Sequence, residues 1–326
     1  MLIDCHNHVG ASPRFTLADF PYAQDLPTLV KDGDRHGVTH WIVFPFSLNL
    51  TFNFSALRRG EFTTEGGEES IPYAFENRRL QTEIHTFFPE FAGRMLQFAS
   101  VDPSRHQRAQ VLELEALRAT QPIYGLKIQA TTLRAYVKDL LNEGRVLLDF
   151  AAKYDLPFLI HSSVAANDPW SPASAILEVA RANPHVRFCL AHSCRFDKHH
   201  LDEVAALPNT WFDISAHGIH CAAAAQNLPI IAAPERRLKS EFSNPGQVLF
   251  DLAELYPHKL LWGTDSPFYS YLSPRLSLKG SYAAEINYLK SLPPSHIARI
   301  AGSNILDYLR LKTKLTAGTQ GTDAND

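Results

Sequence analysis

An eight-stranded α/β barrel, the (β/α)8 or TIM barrel, is the fold this sequence predicts, and three observations predict it. Eight short runs rich in β-branched and aromatic residues alternate with amphipathic stretches of helical period, the pattern of a parallel sheet. The 326 residues suit one barrel, a fold that regularly reaches this size as a single domain. No GxGxxG turn follows the first run, which disfavours the runner-up, a doubly wound open sheet.

The strands are expected at 2–8 (LIDCHNH), 38–46 (VTHWIVFPF), 95–102 (MLQFASVD) and 124–130 (YGLKIQA). The other four are expected at 157–163 (PFLIHSS), 187–193 (RFCLAHS), 210–216 (TWFDISA) and 259–266 (KLLWGTDS). Helices are expected between them at 25–36, 74–91, 104–119, 143–155, 172–182, 197–207 and 245–256, and after the last strand at 281–290 and 295–311. Turn and cap residues precede them, among them Asp102-Pro103-Ser104, Ser171-Pro172 and Gly302-Ser303-Asn304. Two stretches, 47–73 and 217–244, are too long for plain connections. Both follow the carboxyl end of a strand, the active-site face of a barrel, and are expected to cover its mouth. Residues 1–314 thus form one expected unit, and the small polar tail 315–326 is expected to be disordered.

Composition narrows the function. With 31 Lys+Arg against 34 Asp+Glu the net charge is −3, without the basic excess of a nucleic-acid binder. No apolar run reaches the ~18–20 residues that span a bilayer. The start, Met1-Leu2-Ile3-Asp4-Cys5-His6, lacks the cationic and apolar regions of a signal peptide. Cys5, Cys189, Cys194 and Cys221 are too irregularly spaced for a disulfide framework. A cytoplasmic protein with reduced thiols, acting on a small molecule, is expected.

Histidines carry the chemistry. In a strand, His6 and His8 project to one face, which in a barrel is the interior, where two neutral imidazoles can share a metal ion. Alone, an HxH pair more often describes two partly exposed histidines near a terminus. His161, His192 and Asp265 change the balance, because they stand at the carboxyl ends of strands 5, 6 and 8, which converge on the same mouth. Taken singly, each reads as a hydrogen-bonded core histidine or a turn-capping aspartate.

Asp4-Cys5-His6-Asn7-His8, Ile160-His161, Ala191-His192 and Trp262-Gly263-Thr264-Asp265 together resemble the amidohydrolase superfamily over residues 1 to about 311. Within it, these motifs resemble the amidohydrolase-related group that includes aminocarboxymuconate-semialdehyde decarboxylase and many metal-dependent hydrolases. The resemblance implies a single divalent ion on His6, His8, His161 and Asp265, zinc first, with manganese and iron also compatible. It implies that His192 contacts the water or the reacting group and that Asp265 also moves a proton, which makes these two the catalytic pair. The physics agrees, since a metal with an open position brings its water's pKa to about 7 and an adjacent carboxylate can take the proton.

Lys127 on strand 4 leaves an alternative open. Two-metal members use a carboxylated lysine there as a bridge, with His161 and His192 on the second ion. An unmodified Lys127 would pair with a carboxylate instead, Asp4 being the candidate on the inward face of strand 1. One ion is the favoured count.

For substrate contacts, Arg14 is the candidate for a carboxylate, as decarboxylases of this branch use an arginine so, and Arg58 and Arg59 compete with it. His217 is a candidate substrate contact just past strand 7, as is His220; both read equally well as solvated loop histidines. Cys221 beside them has no second cysteine pair to make a zinc site. Phe46, Phe52, Phe54, Trp170, Phe268 and Tyr269 are candidates for an apolar pocket wall. His199 and His200 read as helix-surface residues.

The leading expected activity is hydrolysis of an ester, lactone or amide carbonyl, with non-oxidative decarboxylation of an unsaturated or aromatic acid second. A non-catalytic metal-binding barrel is third. Relatives are often dimers, so a homodimer is compatible with the resemblance.

Overall fold

The computed structural model describes residues 1–11, 23–46, 56, 59, 71–273 and 276–311. Eight parallel strands carry the fold: β1 (Ile3–Ala11), β2 (His40–Pro45), β3 (Met95–Ser100), β4 (Gly125–Ile128), β5 (Phe158–Ile160), β6 (Phe188–Leu190), β7 (Thr210–Asp213) and β8 (Leu260–Leu261). They pair in chain order from β1 to β8, and a two-residue strand, Ala23–Gln24, adds antiparallel to the far end of β1. The sheet closes on itself. Cys5 N–H donates to Trp262 O at 3.1 Å, His8 N–H donates to Ser266 O at 2.8 Å, and Asn7 bridges Ser266 in parallel.

The helices follow their strands: α1 (Leu26–Asp34), α2 (Ala74–Thr82), α3 (Gln107–Thr120), α4 (Arg145–Lys153), α5 (Ala173–Ala182), α6 (Lys198–Ala206), α7 (His217–Ala225), α8 (Pro245–Leu255), α9 (Tyr282–Lys290) and α10 (Asn304–Leu309). Local chemistry starts several of them, since Asp25, Asp197, Asn244 and Ser281 each accept a backbone N–H three residues on. α3 begins three residues later than the Asp102-Pro103-Ser104 signal implies. Asp102 caps a turn at Ser104, and His106 in a left-handed conformation precedes the helix.

Ile3, Cys5, Ile42, Phe44, Leu96, Phe98, Leu159, Cys189 and Leu261 fill the barrel interior, and Ile305, Tyr308 and Leu309 of α10 pack against them. A larger apolar shell joins the outer faces of the strands to the helices. The core of this chain therefore closes one end of the barrel and leaves the carboxyl ends of the strands to polar residues. Among the described residues no helix is long and apolar enough to cross a membrane.

The stretch 217–244, expected to be too long for a plain connection, opens with α7 over its first third. One expectation meets a different structure. Asp4 does not share the face of His6 and His8. Register slips between Asp4↔Trp41 and Asn7↔Val43, so β1 carries one extra residue, a bulge that resets the alternation. Cys5 therefore stays in the interior while His6 also turns inward. Asp4 turns to Thr264, whose N–H and Oγ1 donate to it at 2.9 and 2.7 Å, and to the Tyr282 hydroxyl at 3.2 Å. Asn7 Nδ2 ties the bulge down by donating to Asp4 O and Ile42 O, both at 3.2 Å. The stretch 47–73 lies almost wholly outside the described residues, and the tail 315–326 wholly so.

Candidate metal centre

Three ligand-type side chains converge at the barrel mouth. His6 Nε2 and His8 Nε2 each lie 3.2 Å from the same oxygen of Asp265, and all three residues are buried. His6 and His8 are brought there by the resumed alternation of β1 after the bulge. Asp265 is brought there by a backbone turn with φ of 60° just beyond β8. Gly263 lets the two strands approach, since a Cβ there would fall 2.9 Å from His6 Cβ and 3.0 Å from His6 N.

Hydrogen bonds fix how His6 faces the cluster. Its Nδ1 donates to Asp213 Oδ2 at 2.8 Å, which leaves the Nε2 lone pair turned inward beside the Asp265 carboxylate. Asp213, at the end of β7, also accepts the N–H of His192 at 2.9 Å and both the N–H and the hydroxyl of Ser215 at 3.0 and 2.5 Å. Burial alone would raise its pKa, but the His6 imidazole and these hydrogen bonds outweigh it and hold Asp213 at about 2. Burial pushes His8 down to about 4, consistent with the aromatic wall of Phe44, Phe46 and Phe268 whose rings stand 4.7, 5.4 and 4.9 Å from it. A neutral imidazole at His8 is the protonation state a divalent ion requires of it. The donor set fits such an ion, because two imidazole nitrogens stand 3.2 Å from one carboxylate oxygen in a buried cluster.

Lys127 on β4 is buried at the floor of this cluster. Its Nζ donates to His6 Nε2 at 3.2 Å and sits 4.7 Å from the centre of the Phe44 ring, and Asp4 is not its partner. Burial lowers its pKa to about 8 against the attraction of Asp213 and Asp265.

The remaining candidates divide. His192 Nδ1 lies 3.9 Å from Asp265 Oδ2 and donates to Ser215 O at 3.1 Å. His161 is one ring further out. Its Nδ1 faces His192 Nε2 at 3.0 Å, its Nε2 faces Arg195 Nη2 at 3.3 Å, and the structure does not bring it to the three converging groups. His217 is not at the mouth either. It is buried with Nε2 on Pro245 O at 2.8 Å, its ring between Phe196 and Tyr288, so packing and not solvent surrounds it. His220, one turn along α7, is the one that faces inward, against Arg195 Nη1 and the His192 ring. Phe46 and Phe268 line the centre, whereas Trp170 packs near Arg134. Arg14, Arg58, Phe52 and Phe54 lie outside the described residues.

Asp213 and Arg195 are the site residues that the sequence did not single out. Asp213 had a signal, a lone carboxylate closing the apolar run TWFD of a predicted strand. Arg195 had none.

Glu285 of α9 supports α7 from behind. Its carboxylate accepts the N–H groups of His217 and Gly218 at 3.1 and 3.0 Å, and burial outweighs these bonds to push its pKa up to about 8. Its folded pKa thus lies above the ordinary 4.5. The stability contributed by the protonated form is complete below about pH 4.5 and is lost as the pH rises through about 8. Glu285→Gln keeps an acceptor and removes the titration. Thermal unfolding between pH 5 and 9 should therefore show a flatter decline for the variant, by an amount on the order of a few kcal/mol. Parallel curves for the two proteins would refute an uncharged Glu285.

Comparison with curated proteins yields no match. Solved structures share the fold at low identity. A 2,6-dihydroxybenzoate decarboxylase from Rhizobium is 13% identical, with 96% of this chain and 100% of that one covered at a TM-score of 0.62. A dihydroorotase from Campylobacter jejuni is 13% identical, with 96% and 84% covered at 0.58. An amidohydrolase 2 from Bifidobacterium longum subsp. infantis is 14% identical, with 95% and 98% covered at 0.54. The sequence itself matches the family described as Amidohydrolase across residues 3–311, and the chain belongs to that family.

Proposed function

We propose that the chain is a metal-dependent hydrolase that holds one divalent ion, zinc first, between His6, His8 and Asp265, and attacks an ester, lactone or amide carbonyl. The observation that carries this reading is the approach of His6 Nε2 and His8 Nε2 to one Asp265 oxygen while the other faces His192. A bound divalent ion would supply Lewis acidity and bring a water's pKa toward neutrality. Asp265 Oδ2 then accepts the proton of the attacking water and delivers it to the leaving group. His192, held by Ser215, contacts the reacting group beside Asp265. Phe44, Phe46 and Phe268 exclude water from the His8 side. His161 completes the shell if its ring leaves Arg195.

A second ion bridged by a carboxylated Lys127 is the less favoured count. His161 and His192 would hold it, and the Arg195 guanidinium on His161 Nε2 at 3.3 Å would oppose its charge. Decarboxylation on the same residues is the second reading, favoured by that guanidinium.

The test is turnover of a panel of lactones, esters, amides and unsaturated or aromatic acids by metal-loaded protein and by Asp265→Asn. Hydrolysis is expected, with the variant at least ~100-fold slower. Carbon dioxide release without hydrolysis would transfer the reading to decarboxylation. An unimpaired Asp265→Asn would place the proton carrier elsewhere.

A further inference from the structure

Phe46, just past β2, stands between two spaces. On one side its ring lies 5.4 Å from the His8 ring and 5.3 Å from that of Phe268. On the other it lines a cavity of about 530 Å³ between the end of β1, the strand Ala23–Gln24, the first turn of α1 and one face of α2. Small-molecule sites run to roughly 300–1,000 Å³, so this one is of usable size. Gly10 marks the crossing. It follows His6 and His8 on the inward face of β1, so the strand carries no side chain where the next one would project. A Cβ there would meet Phe46 Cδ2 at 3.7 Å, and its φ of 114° disfavours any side chain. The Phe46 ring is therefore the wall between the cavity and the metal centre.

From this arrangement we infer that the cavity takes an uncharged, apolar tail of the substrate, which reaches it past Phe46 while the reacting carbonyl stays at the metal centre. The inference deepens the hydrolase reading above and rests on it for the reaction, whereas the cavity's own walls choose the tail. Val9, Pro45, Leu80 and Phe75 give those walls apolar surface, and Phe75 is a large ring left 55% exposed. The polar groups of the lining are engaged within the chain. Gln24 Nε2 donates to His8 O at 2.8 Å, and its Oε1 accepts from Ser266 Oγ at 2.7 Å. Glu83 accepts the Leu26 N–H at 3.0 Å and Arg79 Nη1 at 2.9 Å. Asp25 accepts the Thr28 N–H at 2.9 Å, and Glu76 also interacts within the chain.

Charge balance points the same way. Among the described residues three carboxylates and one guanidinium line the space, so an anionic tail is repelled. With those groups already engaged, what remains for a ligand is removal of its apolar surface from water, roughly fourfold in affinity for each CH2 buried. The substrate class is accordingly an ester, lactone or amide that carries an alkyl chain beside its reacting carbonyl.

The experiment is calorimetric titration of the full chain with butan-1-ol, pentan-1-ol and hexan-1-ol, and with hexanoate and hexylamine as charged counterparts. Two variants fill the cavity from exposed positions on different walls, Ala23→Trp and Thr28→Phe. In the native chain affinity should rise roughly fourfold with each added CH2, and hexan-1-ol should bind tighter than either charged counterpart. Both variants should flatten the rise. No rise in the native chain, an unchanged rise in both variants, or tighter binding of hexylamine or hexanoate would overturn the assignment. Turnover of phenyl acetate, butyrate and hexanoate ties the cavity to the centre, and kcat/KM should climb with the chain. Equal kcat/KM for the three esters beside a normal rise for the alcohols would detach the cavity from the centre and overturn its role toward substrate. If none of the esters is turned over, the hydrolase reading fails by itself, and the alcohol titrations still decide for or against the cavity.

Discussion

His6→Ala combined with His8→Ala should give a folded chain that retains no divalent ion. Elemental analysis of protein purified without added metal or chelator measures this directly, with circular dichroism as the check on folding. The native chain should hold about one ion. Two of the three converging groups are lost in the variant, and Asp265 alone offers a single ligand group. Folding should survive because the apolar interior below the site and the helix shell around it remain intact. The cost is the buried Asp213 carboxylate left without its imidazole, about 1–3 kcal/mol. His8→Ala alone keeps that pair and separates the two effects. A double variant that retains full metal content would remove these histidines from the centre. About two ions in the native chain would instead make Lys127 a carboxylated bridge, with His161 and His192 turned away from Arg195.

The barrel was legible because its signals are local and repeated. Each strand is a short apolar run, each helix has a face, and Asp25, Asp197, Asn244 and Ser281 mark starts within a turn of where they occur. His6, His8 and Asp265 were legible for the same reason, since strand alternation and strand ends can be counted along the chain. Counting failed where the backbone departs from its period. Alternation places Asp4 with His6 and His8, but one extra residue in β1 sends it to Thr264 and Tyr282 instead. His217 and His220 look equivalent in sequence, and only the pitch of α7 decides that His220 faces Arg195 while His217 packs on Pro245. Arg195 was invisible because Ser193-Cys194-Arg195 carries no glycine or asparagine to announce left-handed backbone. Its position follows from long-range fixings at Ala232, Leu238 and Asp213, which lie on other elements.

Asp213→Asn should lower metal affinity without unfolding the barrel, because Asp213 decides which nitrogen of His6 is free. As a carboxylate it accepts the His6 Nδ1 proton at 2.8 Å and so keeps the Nε2 lone pair inward. Its other oxygen holds the His192 N–H and the Ser215 N–H and hydroxyl. Asparagine keeps that second set with its carbonyl and turns its NH2 to His6 Nδ1, which must then accept. The His6 proton moves to Nε2, the atom that faces Asp265, and must leave before a metal binds. Partners of this kind typically contribute 10–100-fold to metal affinity, and a loss in that range is expected. Competition with a chelator of known affinity measures it, and saturating metal should restore most turnover, since the substituted side chain touches no reacting group. Asp265→Asn differs on this point, because excess metal cannot return its proton carrier. Native metal affinity in Asp213→Asn would mean that the His6 tautomer is set by Lys127, whose Nζ stands 3.2 Å from Nε2, and not by the carboxylate behind the ring.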